Sequence, residues 1–205
     1  MSSSEVDETG LHRLVALSDG IFAIAMTLLV LDIHVTPGLD AAGFRRMVHG
    51  LLPNIGAYGL SFAILAGVWR DHRRILRLAG PLSTMSVRLA LVGLGVIALL
   101  PFPTTMLSEY ASQSLAVAVY AGTIIVIDLL QLALLLSIRR SPERAGPSDE
   151  RVRRKIAADL GTNIVVFGAT VPIAFASPSA AIWTWTSLVP VKIALVRREA
   201  ARGRR

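Results

Sequence analysis

Arg13-Leu-Val-Ala-Leu-Ser18-Asp19-Gly20-Ile-Phe-Ala-Ile24-Ala-Met-Thr27-Leu28-Leu-Val-Leu31-Asp32-Ile33 is the stretch that decides the fold. Residues 14–31 are apolar enough to cross a bilayer, which takes about 20 predominantly apolar residues in helical conformation. Asp19 interrupts the run about one turn from its first end. A carboxylate at such a depth costs a few kcal/mol unless it is paired or hydrated, so it marks a functional or assembly site. Beyond it, Ile24, Leu28 and Leu31 recur at i, i+4 and i+7, which stacks three branched apolar side chains on one helix face. A polar group at one end and an apolar stripe along one face describe a helix that packs around a shared axis.

The rest of the composition agrees with a membrane protein. The 205 residues are 53% hydrophobic and 17% charged, whereas soluble domains carry about 25% charged residues. A formal net charge of +7 raises the question of nucleic acid. The basic residues, however, fall in short clusters between long apolar runs, which is the membrane pattern and not a binding face over a soluble core. No nucleic-acid partner is expected. The chain has no cysteine, which removes disulfides, thiolate metal sites and thiol chemistry. Its first ten residues, MSSSEVDETG, are polar and acidic and lack the basic n-region of a cleaved signal peptide. The first apolar run is therefore expected to remain as a span.

Apolar stretches long enough to span a bilayer fall at about 13–33, 51–70, 83–107, 113–138, 156–176 and 179–196. The expected fold is all-α, a polytopic membrane protein of six transmembrane helices forming a single domain over residues 1–205. Ala176-Ser-Pro178 permits only a tight hairpin between the last two spans. Pro172 and Pro190 sit inside spans, where prolines are tolerated and mark kinks. Residues 139–155, rich in charge, Pro and Gly, read as a solvated connector. All basic residues except Arg45 and Arg46 fall on one side of this topology. The positive-inside rule then places both termini in the cytoplasm of a multi-pass protein of the plasma (inner) membrane.

Motifs for other chemistries are missing. Gly93-Leu-Gly95 lacks a following phosphate-binding pattern and reads as helix-packing glycine. There is no Walker sequence, no Gly-x-Ser-x-Gly and no His-Glu-x-x-His. His12, His34, His49 and His72 show no metal-ligand spacing, and Asp19 and Asp128 are the only acids well inside spans. Neither an enzyme nor a cofactor is expected. A Thr-Val-Gly-Tyr-Gly run that would build a carbonyl-lined filter is also absent.

Arg13-x-x-x-Leu17-Ser18-Asp19-Gly20-Ile-Phe22-Ala-Ile24-Ala-x-Thr27-Leu28-Leu resembles the first-helix signature of the transmembrane-protein-175 family. These are the endosomal and lysosomal potassium channels and their bacterial homologues. Tyr58-x-x-Ser61-Phe62, Trp69-x-x-His72 and Pro101-Phe102-Pro103-Thr104 continue the resemblance in order through the first three spans. It extends more loosely, as span count and loop sizes, to the C-terminus. Leu17 stands where the family usually has Phe. The resemblance implies a homotetrameric cation channel of six-span subunits, permeable to K⁺ and without a conventional filter. The first helix of each subunit would line the pore. It also implies a structural polar network of Arg13, Ser18, Asp19 and His72, with Trp69 at the same depth.

The residues themselves separate two roles. At about 100° per residue, Asp19 lies about 140° around the helix from Ile24, so it faces a neighbouring helix and not an ion path. Arg13 and Asp19 are about 120° apart and are poor partners within one helix. Pairing with Trp69, Arg70 or His72 of the second span is expected instead. Copies of Ile24, Leu28 and Leu31 around an axis would form an apolar constriction that gates by dewetting and diameter, with the Thr27 hydroxyl beside it. An alternative is a secondary cation or proton-coupled transporter titrating on Asp19 or Asp128. Tyr58, Trp69, Trp183 and Trp185 read as interfacial anchors, and Asp128 as an inter-helix hydrogen-bonding group.

Overall fold

A computed structural model describes residues 3–80, 82–138 and 147–185. Among them there is no strand, and every regular element is a helix. Helix α1 (Ser3–Leu28) tightens into a 3₁₀ turn over Leu29–Asp32. It is followed by α2 (Ala41–Gly50), α3 (Leu52–Arg77), α4 (Thr84–Leu99), α5 (Pro101–Glu109), α6 (Ser114–Ser137), α7 (Pro147–Ala176) and α8 (178–185). Five stretches are long and apolar enough to cross a membrane: Thr9–Leu31, Ala41–Arg77, Thr84–Glu109, Ser114–Ser137 and Asp149–Ala176.

Helix boundaries follow local chemistry. Asp40 caps α2 by accepting a hydrogen bond from the Gly43 amide at 2.7 Å, and Ser83 caps α4 through the Ser86 amide at 3.1 Å. Such caps satisfy amides that the first helical turn leaves without partners. Pro53 and Pro101 have no N–H to donate, so each suits the first turn of a helix, where no partner within that helix is lost. The breaks at Leu51 and Leu100 lie just before them.

Three expectations are corrected by these boundaries. Residues 71–77, read as loop, are helical and extend α3 by about two turns. The stretch 83–107 is two helices, α4 and α5, and not one. Residues 147–155 belong to α7, where Arg154 donates to Glu150 at 3.0 Å in an i, i+4 pair. Residues 139–146 and most of the expected span 179–196, with Pro190, lie outside the described residues. Helix α7 runs through Pro172 to Ala176. Its turn at Ser177 then brings α8 back along it, as the expected tight hairpin requires.

The core is built around α6, which buries Val117, Tyr120, Ala121, Ile124, Ile127, Leu134 and Leu135 against its neighbours. Trp185 belongs to this core and is no interfacial anchor: it is buried, with its ring 5.2 Å from Phe167 and 5.5 Å from Tyr120. Its Nε1–H donates to Thr170 Oγ1 at 2.7 Å. Satisfying the one polar atom of the indole is what lets the ring be fully buried. Tyr120 reaches across to α3 and α5, where Ser61 lies 2.9 Å from the Tyr120 hydroxyl and 2.9 Å from Thr104 Oγ1. Trp183, by contrast, is exposed.

Candidate functional site

Helix α1 has two unlike faces. Leu14, Ser18, Phe22, Ala25 and Leu29 are buried against α3 and α4 at helical spacing. On the other side Leu17, Ile24, Leu28 and Leu31 are exposed by 47%, 60%, 40% and 62%. Among the described residues nothing fully covers this stripe. The 3₁₀ turn changes its upper end. With about three residues per turn, i and i+3 eclipse, so Leu31 stands directly over Leu28 instead of drifting around the axis. Thr27 is on the same open side and donates its hydroxyl proton to the Ile24 carbonyl at 2.9 Å. Its oxygen is left to offer lone pairs beside the stripe.

The opposite face is clamped at the arginine-rich end of the molecule. Asp19 Oδ1 accepts from Trp69 Nε1 at 2.9 Å, and Oδ2 accepts from Arg73 at 2.8 Å. Trp69 and Arg73 are one turn apart on α3, and the guanidinium lies 5.6 Å from the indole ring centroid, within range of a cation–π attraction. One α3 turn thus supplies an aromatic donor and a charge to the same carboxylate.

A second, buried branch runs from the adjacent serine. Ser18 Oγ donates to the Leu14 carbonyl at 2.7 Å and lies 3.1 Å from His72 Nε2. His72 Nδ1 lies 2.9 Å from Gln131 Oε1, and Gln131 Nε2 donates to the Val68 carbonyl at 3.2 Å. The last bond fixes the amide orientation. Because Gln131 presents its oxygen to the imidazole, Nδ1 is the protonated nitrogen. The Ser18 hydroxyl then has one proton for two acceptors, Leu14 O and His72 Nε2. Phe22 closes the site, its ring 5.7 Å from that of His72.

The structure therefore brings together Ser18, Asp19, Trp69 and His72 of the expected polar network. Arg13 stands apart: it is exposed and lies about three turns before Ile24 on the stripe's side of α1. The cation on Asp19 is Arg73, which lies beyond the expected end of the second span at residue 70 and is not among the partners expected from the sequence. Gln131 was also missed as a partner, although a second polar residue three positions from Asp128 in an otherwise apolar span was a legible signal. Asp128 is buried one turn away on the same helix.

Known proteins share this arrangement of chain. The family model described as endosomal/lysosomal potassium channel TMEM175 matches residues 13–101, which contain both sides of the Asp19 clamp. A potassium channel of Streptomyces collinus is 30% identical over 177 residues, covering 84% of this chain and 85% of that protein. One from Chamaesiphon minutus is 34% identical over 135 residues, or 63% of this chain and 66% of the relative. The crystal structure of a lysosomal potassium-selective channel TMEM175 homolog from Chamaesiphon minutus matches with a TM-score of 0.77 at 26% identity, covering 91% of this chain and 97% of that one. The chain belongs to the TMEM175 potassium channel family.

Proposed function

We propose that the chain forms a potassium-permeable cation channel of the plasma membrane, a homotetramer of six-span subunits with both termini in the cytoplasm. The observation that carries this reading is the pairing of faces on α1. One face is fixed to α3 and α6 through Asp19 and Ser18, while Ile24, Leu28 and Leu31 on the other are uncovered. Closed rotational symmetry is the common way to cover such a face, and four copies of α1 about an axis would turn three side chains into three apolar rings.

Rings of leucine and isoleucine carry no charge and strip no hydration shell with carbonyls; they act through diameter and dewetting. Thr27 oxygens beside the Leu28 ring would offer a permeant K⁺ its one set of protein acceptors at that level. Asp19 is already held by Trp69 and Arg73, which argues against its being the titrating group of an exchanger. The chain works as a conduit, with K⁺ as cargo and no catalytic group.

Purified protein in liposomes tests this. A K⁺ flux above that of empty liposomes, altered by substitutions at Leu28 or Leu31, is the expected outcome. A correctly assembled oligomer without flux would overturn the channel reading. A flux that saturates and requires a counter-ion gradient would replace it with an exchanger.

A further inference from the structure

Helix α2 is not part of the crossing. The apolar stretch Ala41–Arg77 contains 37 residues, about 55 Å as a helix, whereas a bilayer is about 30 Å thick in its hydrocarbon core and about 45 Å with headgroups. Helix α3 alone, at 26 residues, spans about 39 Å and completes the crossing. At the junction the helical ladder loses one bond, because Pro53 has no N–H for the His49 carbonyl, while Leu51 keeps its own, donating to the Met47 carbonyl and accepting from the Ile55 amide, both at 3.0 Å. Helix α2 thus begins where the crossing ends, away from the arginine-rich ends of α3 and α7.

Around α2 the side chains sort into three arcs. Gly43 and Met47, half-buried, rest on the protomer, and Met47 Sδ accepts from the Thr36 amide at 3.3 Å. Phe44 and Val48 form the next arc, continued by Leu52, and are exposed by 54%, 42% and 59%. Arg45, His49 and Arg46 occupy the third arc, at about 100° per residue. No residue of α2 is buried.

We infer that α2 lies in the headgroup layer of the membrane, with Phe44, Val48 and Leu52 in the acyl boundary and Arg45 and Arg46 on lipid phosphates. Direct continuity with a span puts it at the bilayer surface. An apolar arc bordered by cations matches that layer, where a basic amphipathic helix buries its apolar side about 5–10 Å deep. A second copy of the chain fits less well. One face of a ten-residue helix is about 15 Å by 10 Å, or about 150 Å², against the roughly 800 Å² per partner of a stable interface. Eight residues, 33–40, join α2 to the end of α1, so the surface helix also tethers the end of the Leu28–Leu31 stripe.

The absence of cysteine makes site-directed labelling of the full chain straightforward. Nitroxides on Val48→Cys and Ala42→Cys, in vesicles of phosphatidylethanolamine and phosphatidylglycerol, should separate. The first should be relaxed by oxygen, and the second, on the arginine arc, by a water-soluble nickel chelate. Phe44→Cys provides a second lipid-side position should the Val48 variant assemble poorly. Arg45→Gln with Arg46→Gln should lower the oxygen-to-nickel ratio at position 48 severalfold. Equal nickel access at both sites would overturn the inference by placing α2 in water. Shielding of position 48 from both reagents would overturn it in favour of a protein partner. An unchanged ratio in the double variant would overturn the phosphate contact.

Discussion

Asp19 and Arg73 meet at 2.8 Å across the junction of α1 and α3, with the Trp69 indole on the other carboxylate oxygen at 2.9 Å. The ion pair is more than a third exposed at both ends, so solvent screens it. Asp19→Asn keeps an acceptor for Trp69 and loses the charge. A fall of about 0.2–1 kcal/mol in protomer stability is expected, with a double-mutant cycle against Arg73→Gln assigning it to the pair. A loss of several kcal/mol in a melting experiment would show that assembly desolvates the pair.

The neighbouring branch is buried and should behave differently. Gln131→Leu removes the acceptor of His72 Nδ1–H and the donor to the Val68 carbonyl together. The Val68 carbonyl keeps its helical partner, but the buried His72 Nδ1–H is orphaned, which costs about 1–3 kcal/mol, so this substitution should be more damaging than Asp19→Asn despite involving no charge. Ser18→Ala removes a bond to the Leu14 carbonyl, which keeps its helical partner, and a hydroxyl proton that His72 Nε2 only shares, and should cost less than Gln131→Leu. Denaturant or thermal melting in detergent ranks the three. The reverse order would mean that the exposed ion pair, and not the histidine branch, holds α1.

Much of this was legible in residues 13–33. The i, i+4, i+7 stripe and the 140° offset of Asp19 are consequences of helical geometry alone, which is why Ile24, Leu28 and Leu31 face away from the protomer as that periodicity implies. What the chain could not announce was which partner each polar group would choose. Arg73, and not Arg70, is the cation on Asp19 because α3 continues two turns past the expected boundary, and a helix extended into basic sequence cannot be told from a loop by hydropathy. Trp185 was misassigned for a related reason. An aromatic near a span end suits an interface unless a partner such as Thr170 satisfies its N–H, and that partner lies 15 residues away across a hairpin.

The two tryptophans of α8 give a clean contrast. Trp185 is buried against Phe167 and Tyr120, and Trp185→Ala should cost about 3–5 kcal/mol through lost contacts and the cavity left behind. Trp185→Phe keeps most of the volume and should cost less, leaving Thr170 without its donor. Trp183, exposed, should tolerate Trp183→Ala within about 0.5 kcal/mol in detergent. Melting temperatures of the three variants check this, and equal losses at positions 183 and 185 would mean that α8 packs the other way round.

The sharpest test of α1 as the proposed pore helix uses two consecutive leucines. Leu28 is open and Leu29 is fully buried, so the same chemical change should move different observables. Leu29→Ala empties core volume and should cost about 2–5 kcal/mol of stability. Leu28→Ala should leave protomer stability within about 0.5 kcal/mol and raise liposome K⁺ flux severalfold by widening the constriction. Leu28→Asn should raise it too, because an amide would wet the proposed ring that leucine would keep dry. Leu31→Ala, eclipsed with Leu28 in the 3₁₀ turn, should act in the same direction. If Leu29→Ala altered flux at unchanged stability while Leu28→Ala did neither, the ion path would have to run along the other face of α1.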